Sequence, residues 1–273
     1  MLSQWLASMT AHYQWQLSLA AGAAIFLVSV VGKRLAVLLV PTFARASSAN
    51  RTAFRDKMAK AYYAKNQAWN RKWGVFFLAI IFGLIMPFCI TADPQPWWQA
   101  VRDIAVILMV YDFFYYFTHR FLFHDSALLG GPLLSIHAVH HRQHNPCRMD
   151  SSYIHPVEVA IGLGLYIFTI LLLSLAMGPF HIVTIVVTWI AFMEINLHNH
   201  DLWEVDRFPF RYLNTMSRMH HNHHASFNGG NFATISLFYD WLFGTLDHGQ
   251  DDRAGKEPVL RGMPAAEGGS RQP

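Results

Sequence analysis

The sequence predicts an all-α membrane protein: a polytopic bundle of four to five transmembrane helices with a cytoplasmic, histidine-rich helical cap. Hydrophobic residues make up 53% of the chain and charged residues only 14%, whereas soluble domains carry about 25% charged residues. Five apolar runs are also long enough to span a bilayer, which takes about 20 residues. Finally, there are sixteen histidines, and most of them lie close to the ends of these runs.

The five apolar runs justify the helices in chain order. They are Ala11–Val31, Gly74–Ala92, Trp97–Thr118, Val157–Gly178 and Ile182–His200. The first run has no charged residue, and an interfacial helix is an alternative for it. The third run carries Arg102, Asp103 and Asp112, so it is the most polar of the five.

The orientation follows from the distribution of Lys and Arg. The loop Pro41–Trp73 contains eight Lys and Arg residues against one Asp, whereas the short loops Thr91–Gln99 and Gly178–His181 contain none. Loops rich in Lys and Arg stay on the cytoplasmic side. Segments 32–73, 119–156 and 201–273 are therefore predicted to be cytoplasmic, together with Cys147, and the N-terminus lies outside.

Composition also divides the chain. We expect an N-terminal helix and basic loop (1–73), a histidine-bearing membrane domain (74–247) and a disordered tail (248–273) that is rich in Gly, Pro and charge. The segment Asn231–Leu246 is too short and polar to span, so it should pack on the cytoplasmic helix ends or lie on the bilayer. The two cysteines form no CxxC pair, which gives no support for a disulfide framework or a zinc knuckle.

Thirteen of the histidines lie between 119 and 224 on the predicted cytoplasmic side. Two HxxHH patterns, at 137/140/141 and 220/223/224, should each point three imidazoles the same way on a helix. Neutral imidazole binds zinc, iron, copper and nickel. Eight or more converging histidines favour two metal ions. His119 and His124 are about 140° apart on an ideal α-helix, so they converge only if that helix ends or distorts, or if they bind different metals.

The candidate metal ligands are His119, His124, His137, His140, His141, His155, His198, His200, His220, His223 and His224. Of His198 and His200, which follow the fifth span, at least one is expected to be a ligand, and the sequence leaves open which. His144 and His221 are expected to face outward, and His12, His181 and His248 to be surface or structural residues. No catalytic group beyond the ligands is predicted.

Carboxylates could orient these histidines through their second ring nitrogen. Asp112 precedes His119 by seven residues and Glu194 precedes His198 by four, so each shares a helical face with a candidate ligand. Each could equally pair with an arginine near the membrane edge.

These residues resemble the fatty acid hydroxylase / sterol desaturase superfamily over roughly 112–246. The resemblance lies in Asp112-Phe-Phe-Tyr-Tyr-Phe-Thr-His119-Arg120, His137-Ala-Val-His140-His141, His155-Pro-Val-Glu158, the His198 region, His220-x-x-His223-His224 and the closing Asn231-Phe…Asp240-Trp-Leu-Phe-Gly244-Thr. After the fifth span the family typically has one His, whereas this sequence has Asn196-Leu-His198-Asn199-His200. Asn196-x3-His200 also fits an Asn/His pair of related membrane desaturases, which makes Asn196 a possible supporting residue. His221 is additional to the family pattern.

The resemblance implies a membrane di-iron site, O2 as co-substrate and a lipid substrate that is hydroxylated or desaturated. The chain has no dinucleotide fingerprint, cysteine cluster or fused haem domain, so electrons must come from an external donor of the ferredoxin or cytochrome type. The expected location is a bacterial cytoplasmic membrane or the endoplasmic reticulum. No nucleic acid is expected as a partner. A zinc-dependent lipid hydrolase or amidase is the alternative, whereas a transporter would place its ligands near the bilayer midplane.

Overall fold

The computed structural model describes residues 12–124 and 128–249. Within these residues the chain forms nine α-helices and one two-stranded sheet. The helices are α1 (Trp15–Leu39), α2 (Pro41–Met58), α3 (Ala61–Ile80), α4 (Trp97–Thr118), α5 (Leu134–His137), α6 (Pro156–Met177), α7 (Ile182–Asn199), α8 (Arg211–Ala225) and α9 (Phe238–Leu242), and the strands are β1 (Ile90–Thr91) and β2 (Phe180–His181). The predicted disordered tail lies outside the described residues from 250 onward.

Four helical segments are long and apolar enough to cross a membrane: Trp15–Leu39, Ala61–Phe88, Pro156–Met177 and Ile182–Asn199. They confirm the predicted membrane bundle. The helix α4 has the length of a span but carries Arg102, Asp103 and Asp112. It packs against both α6 and α7.

The connections gather at two opposite ends of the bundle. At one end, β1 and β2 pair in parallel, with Ile90 opposite Phe180. This strand end contains the two short loops that have no Lys or Arg. The other end, here called the histidine end, contains α2, α5, α8 and α9. The predicted grouping of loops therefore agrees with the structure, while the side of the membrane stays a prediction.

The basic segment Pro41–Trp73, predicted as a loop, is instead helical. Pro41 starts α2 at the first helical position, which its fixed φ favours. No Gly or further Pro follows until Gly74, and the intervening Ala, Lys, Arg and Gln residues favour helix. The helix α1 likewise continues past Val31 to Leu39, because the residues after Gly32 favour helix and no Pro occurs before Pro41.

Buried polar contacts attach α2 and α3 to the histidine end. Asp150 accepts hydrogen bonds from Lys57, from the Tyr63 hydroxyl and from the Cys147 amide. Asn50 donates to the Asp201 carboxylate at 2.6 Å. Because a buried carboxylate needs partners, these contacts fix the loop between α5 and α6 at Asp150 and the turn after α7 at Asp201.

The segment Asn231–Leu246 packs against the helix ends, as predicted. Asp240 accepts hydrogen bonds from the Phe232 and Ala233 amides at 2.8 Å. The fully buried Tyr116 of α4 contacts this segment through the rings of Phe232 and Phe243. The segment thus forms a wall beside the end of α4, where the first candidate ligand is found.

Candidate metal centre

His119 and His124 converge because the helix distorts between them. After α4 the chain forms a π-turn over His119–Phe123, in which the His124 amide donates to the His119 carbonyl at 3.2 Å. A π-turn joins residues five apart, so His124 returns to the face of His119. The two Nε2 atoms are 3.3 Å apart.

The first HxxHH pattern does not lie on one helix. The α-helix α5 ends at His137, and a 3₁₀ turn begins at His140. The prediction of three imidazoles on a shared face is therefore wrong here. Instead, His137 and His141 approach each other, with Nε2 atoms 3.1 Å apart, and His140 turns to a different neighbour, His200, at 3.1 Å.

The second HxxHH pattern does lie on one helix, α8, yet it also divides. An α-helix turns by about 100° per residue, so His220 and His224 are only about 40° apart, whereas His223 and His224 point about 100° apart. The Nε2 atoms of His220 and His224 both lie within 3.2 Å of that of His200. His223 points to His141 and His119.

Nine of the eleven candidate histidines thus form two adjacent groups. The five-histidine cluster contains His119, His124, His137, His141 and His223, and the four-histidine cluster contains His140, His200, His220 and His224. All nine are buried. The clusters adjoin, because the rings of His141 and His224 stack at 4.8 Å.

The hydrogen bonds of the Nδ1 atoms fix most tautomers. His119, His124 and His223 donate from Nδ1 to the carbonyls of Phe232, Phe227 and Gly230 at 2.7 to 2.9 Å. The Nδ1 of His137 donates to the Glu158 carboxylate. The Nδ1 atoms of His140 and His200 donate to the backbone carbonyls of Tyr153 and Asn196, respectively. In a neutral imidazole the other nitrogen then carries a free lone pair. Six Nε2 lone pairs are therefore directed into the clusters.

Burial keeps these rings neutral. It lowers the pKa of His124 and of His140 to about 4. The pKa values of His119, His137 and His223 also fall well below the ordinary value, first through burial and then through neighbouring histidines. Metal binding requires neutral imidazole, so these histidines are already in the protonation state that binds a metal ion.

The geometry fits metal ions. In the five-histidine cluster, the Nε2 atoms of His119, His137, His141 and His223 form a closed ring with sides of 3.0 to 3.2 Å. Lone pairs repel at this separation unless a cation lies between them. The centre of a square of this size is roughly 2.2 Å from each corner, close to the length of a metal–imidazole bond.

Two candidate ligands lie in neither cluster. His155 is the N-cap of α6, where its Nδ1 accepts from the Val157 amide at 3.2 Å. His181 caps α7 in the same way, as expected for a structural residue. His198 donates to the Leu213 carbonyl at 2.9 Å and lies 3.4 Å from Asp201. Of the His198 and His200 pair, the structure therefore brings only His200 to the other histidines.

Of the three predicted supporting residues, one contacts a clustered histidine directly and two contact other groups. Asp112 does not contact His119; it accepts hydrogen bonds from the amides of Thr234, Ile235 and Ser236. It thereby fixes the segment whose Phe232 carbonyl orients His119. Glu194 pairs with Arg148 instead of a histidine, which is the arginine alternative. Asn196 supplies its carbonyl to His200.

Sequence reasoning missed Glu158 as the supporting carboxylate. Its Oε1 accepts from His137 Nδ1 at 2.7 Å, and its side chain is buried in the first turn of α6. A single carboxylate in an apolar helix was the available signal, because intramembrane carboxylates are rarely without function. The carbonyls of Phe227, Gly230 and Phe232 carry no signal in the residue types.

An apolar cavity of about 420 Å³ opens onto both clusters. It reaches His119 and His137 of the five-histidine cluster and His140, His200 and His220 of the four-histidine cluster. Its walls are largely aromatic and aliphatic, with Tyr111, Tyr115, Trp189, Phe192, Leu78 and Leu163 among them. This volume is in the range of small-molecule sites, and we call it the substrate cavity.

Comparison with known proteins agrees with this arrangement. Residues 104–245 match the family model for fatty acid hydroxylases. A methylsterol monooxygenase of Aspergillus fumigatus is 33% identical over 63% of this chain and 56% of its own length. A methylsterol monooxygenase of Arabidopsis thaliana is 28% identical over 56% of this chain and 55% of its own length. A very-long-chain aldehyde decarbonylase of Oryza sativa is 29% identical over 56% and 55%, respectively.

The matched region thus spans about half the length of each of these relatives. No solved structure matches this chain. The family model covers more than half of the chain and all nine clustered histidines. The chain therefore belongs to the fatty acid hydroxylase / sterol desaturase superfamily.

Proposed function

We propose that the protein oxidises a membrane lipid with O2 at a site that holds two iron ions, one in each histidine cluster. The observation that carries this proposal is the convergence of nine buried imidazoles in groups of five and four, next to one apolar cavity that reaches both groups. The superfamily membership supports a lipid oxygenase. When bound, the iron ions would supply the activation of O2 for attack on a C–H bond.

The number of ligands argues against a single zinc ion. Structural zinc takes four ligands, and catalytic zinc usually takes three protein ligands plus water. Nine imidazoles exceed what one zinc ion can use. The alternative is a zinc-dependent lipid hydrolase, which would also need a general base. In this site the candidate, Glu158, is engaged with His137, which favours the oxidative reaction.

The substrate cavity supports a lipid with a small polar group. By their names, the relatives act on methylsterols and on very-long-chain aldehydes. The side chain of Asn70 lines the cavity, and its Nδ2 donates to the carbonyls of Ser152 and Ile154. Its Oδ1 is buried and has no hydrogen-bond partner. This oxygen could accept a hydrogen bond from a hydroxyl group of the substrate.

The reacting carbon should then lie within a few bonds of that polar group. The histidine clusters lie at the ends of the helices and not at their midpoints, so the far end of a long chain would remain in the bilayer. Gly74 of α3 and Gly162 of α6 line the cavity, and a Cβ at either would meet no atom within 4 Å. This open wall between α3 and α6 is suited to lateral access from the membrane.

The chain's own residues have three tasks in this reaction. The carbonyls of Phe227, Gly230 and Phe232 hold three imidazoles in the orientation that metal binding needs. The aromatic walls exclude water from the reacting groups, which limits side reactions. The exposed basic residues of α2 and α3 could attract an acidic electron donor, of the ferredoxin or cytochrome type.

The test combines metal analysis with isotope labelling. We expect two irons per chain in protein purified without oxygen. Hydroxylation is favoured over desaturation, because the histidine boxes resemble those of the hydroxylase members. Cells that contain the protein should therefore gain one labelled oxygen in one lipid class under 18-O2. Loss of two hydrogens without label would identify a desaturase. One zinc and no iron, together with unchanged lipids, would contradict the proposal and favour the hydrolase.

A further inference from the structure

A second cavity lies on the other side of α7 and belongs to no part of the site described above. It has a volume of about 540 Å³ and lies between α1, α2 and α7. None of the nine clustered histidines lines it. Its walls are apolar where α1 and α7 face each other, with Val28 and Val37 on one side and Ile190 and Ile195 on the other.

The cavity is lined by more basic than acidic side chains. Arg148 pairs with both Glu194 and Asp201, so this group of three side chains carries one net negative charge. Lys33 of α1 and Arg51 of α2 also line the cavity. Within the described residues these two cations have no ion pair and no hydrogen-bond partner for their side chains. The five charged residues that line the cavity therefore sum to one net positive charge, and the two unpaired cations, Lys33 and Arg51, lie beside the apolar channel.

Gly32 keeps this channel open. It lines the cavity in the last third of the 25-residue helix α1, where a glycine is less favourable than alanine. A Cβ at this position would meet no atom within 4 Å. The glycine is therefore not required by helix packing, and its absent side chain leaves room inside the cavity.

We propose that this cavity binds a phospholipid with an anionic head group. Lys33 lies near the end of an apolar helix that is long enough to span the membrane, so it sits at the depth of lipid phosphates. Basic pockets between membrane helices bind anionic head groups. The phosphate would contact Lys33 and Arg51, and an acyl chain would follow the apolar channel past Gly32. This site does not depend on the proposed reaction.

The experiment measures lipids bound to the delipidated full-length protein by native mass spectrometry. Phosphatidylglycerol and phosphatidylcholine with identical acyl chains are added in equal amounts. We expect phosphatidylglycerol to be retained at least fivefold more. The double variant Lys33→Gln/Arg51→Gln should lose most of this preference. The matched control is Lys65→Gln/Arg71→Gln, which removes the same charge from exposed positions outside the cavity and should keep it.

A second variant tests the channel without changing charge. Gly32→Leu should fill the cavity and reduce binding of phosphatidylglycerol several-fold, while leucine favours the helix and keeps the protein folded. Inorganic phosphate at millimolar concentration should not displace the lipid, because it lacks the acyl chain. Equal retention of the two lipids would overturn the proposal. The proposal would also be overturned if both double variants lost binding equally, or if Gly32→Leu bound phosphatidylglycerol as well as the wild type does.

Discussion

His198 and His200 are two residues apart at the end of α7, yet only His200 faces other histidines. Its Nε2 is the centre of the four-histidine cluster, within 3.2 Å of the Nε2 atoms of His140, His220 and His224. His198 instead contacts Leu213 and Asp201. On a helix, residues two apart point in nearly opposite directions, so one position cannot replace the other.

The first prediction compares these two histidines. His200→Ala should remove the metal of the four-histidine cluster, so that bound iron falls from about two ions to about one per chain. His198→Ala should retain both ions, because its ring binds only protein groups. Elemental analysis of the purified variants distinguishes the two cases. Loss of iron from His198→Ala alone would contradict the assignment of the cluster.

Glu158 provides the second residue-scale prediction. Its carboxylate accepts from His137 Nδ1, and loss of such a supporting partner typically weakens metal binding 10- to 100-fold. Glu158→Gln should therefore release its metal at chelator concentrations roughly 10- to 100-fold lower than those that the wild type requires. Glu194→Gln is the control, since Glu194 pairs with Arg148. Equal behaviour of the two variants would leave Glu158 without a role at the metal site.

At the scale of secondary-structure elements, the histidine spacing predicted metal binding, but it did not predict which of the two clusters each histidine joins. Both HxxHH patterns were expected to present one face. In 137–141 the helix ends at His137, so the pattern spans a break. In α8 the helix is regular, but the other cluster lies close enough to receive His223. These outcomes depend on tertiary packing, which one sequence does not contain.

The sequence predicted that His119 and His124 converge on one site only if the helix between them ends or is distorted. The 140° between them required a distorted helix, and the structure supplies a π-turn. The carbonyls that orient His119, His124 and His223 could not be foreseen, because every residue has a carbonyl. The membrane bundle itself followed directly from apolar length.

The gap between α3 and α6 gives a prediction about substrate access, and it rests on the proposed reaction. Gly162 lines the substrate cavity, whereas Gly164, on the same helix, does not, and both positions have open space for a Cβ. Gly162→Leu should lower the rate of lipid oxidation at least tenfold while iron content stays unchanged. Gly164→Leu should retain activity. Equal activities with full iron loading would move the access route elsewhere.

The contact between α4 and the 232–236 segment gives a prediction about stability. Asp112 accepts three backbone hydrogen bonds and one from the Ser236 hydroxyl. Hydrogen bonds to charged groups contribute about 1.5–3 kcal/mol each. Asp112→Asn should therefore lower the free energy of unfolding by roughly 2–4 kcal/mol, seen as a lower thermal midpoint in detergent. Asp103→Asn, near the opposite end of α4, removes the charge of a buried carboxylate that pairs with one residue, Arg102, and it should lower the free energy of unfolding by less than Asp112→Asn does.

At the scale of the whole molecule, the two ends of the bundle differ in charge and chemistry. The histidine end contains the basic helix α2, the beginning of α3 and both clusters, and the strand end contains loops without Lys or Arg. Because Lys and Arg residues beside membrane spans favour the cytoplasmic side, we expect the histidine end to face the cytoplasm. This orientation would also give a cytoplasmic electron donor access to the metal centre.

Cysteine labelling tests this orientation, but neither native cysteine can serve as the reporter. Cys147 was the obvious choice from the sequence, yet it is 1% exposed, as is Cys89. Burial also raises the pKa of the Cys147 thiol to about 12, and the thiolate is the reactive form. The native protein should therefore react poorly with a maleimide from either side, which provides a low background for introduced cysteines.

Two exposed positions at opposite ends supply the reporters. His144→Cys lies at the histidine end and Ala92→Cys at the strand end, and both native residues are exposed. A membrane-impermeant maleimide added to intact spheroplasts should label Ala92→Cys and leave His144→Cys unlabelled until the membrane is broken. His144 belongs to neither histidine cluster, so its replacement should leave iron content unchanged and the fold intact. The reverse labelling pattern would place the metal centre outside the cell, away from cytoplasmic reductants, and would require an electron donor on that side.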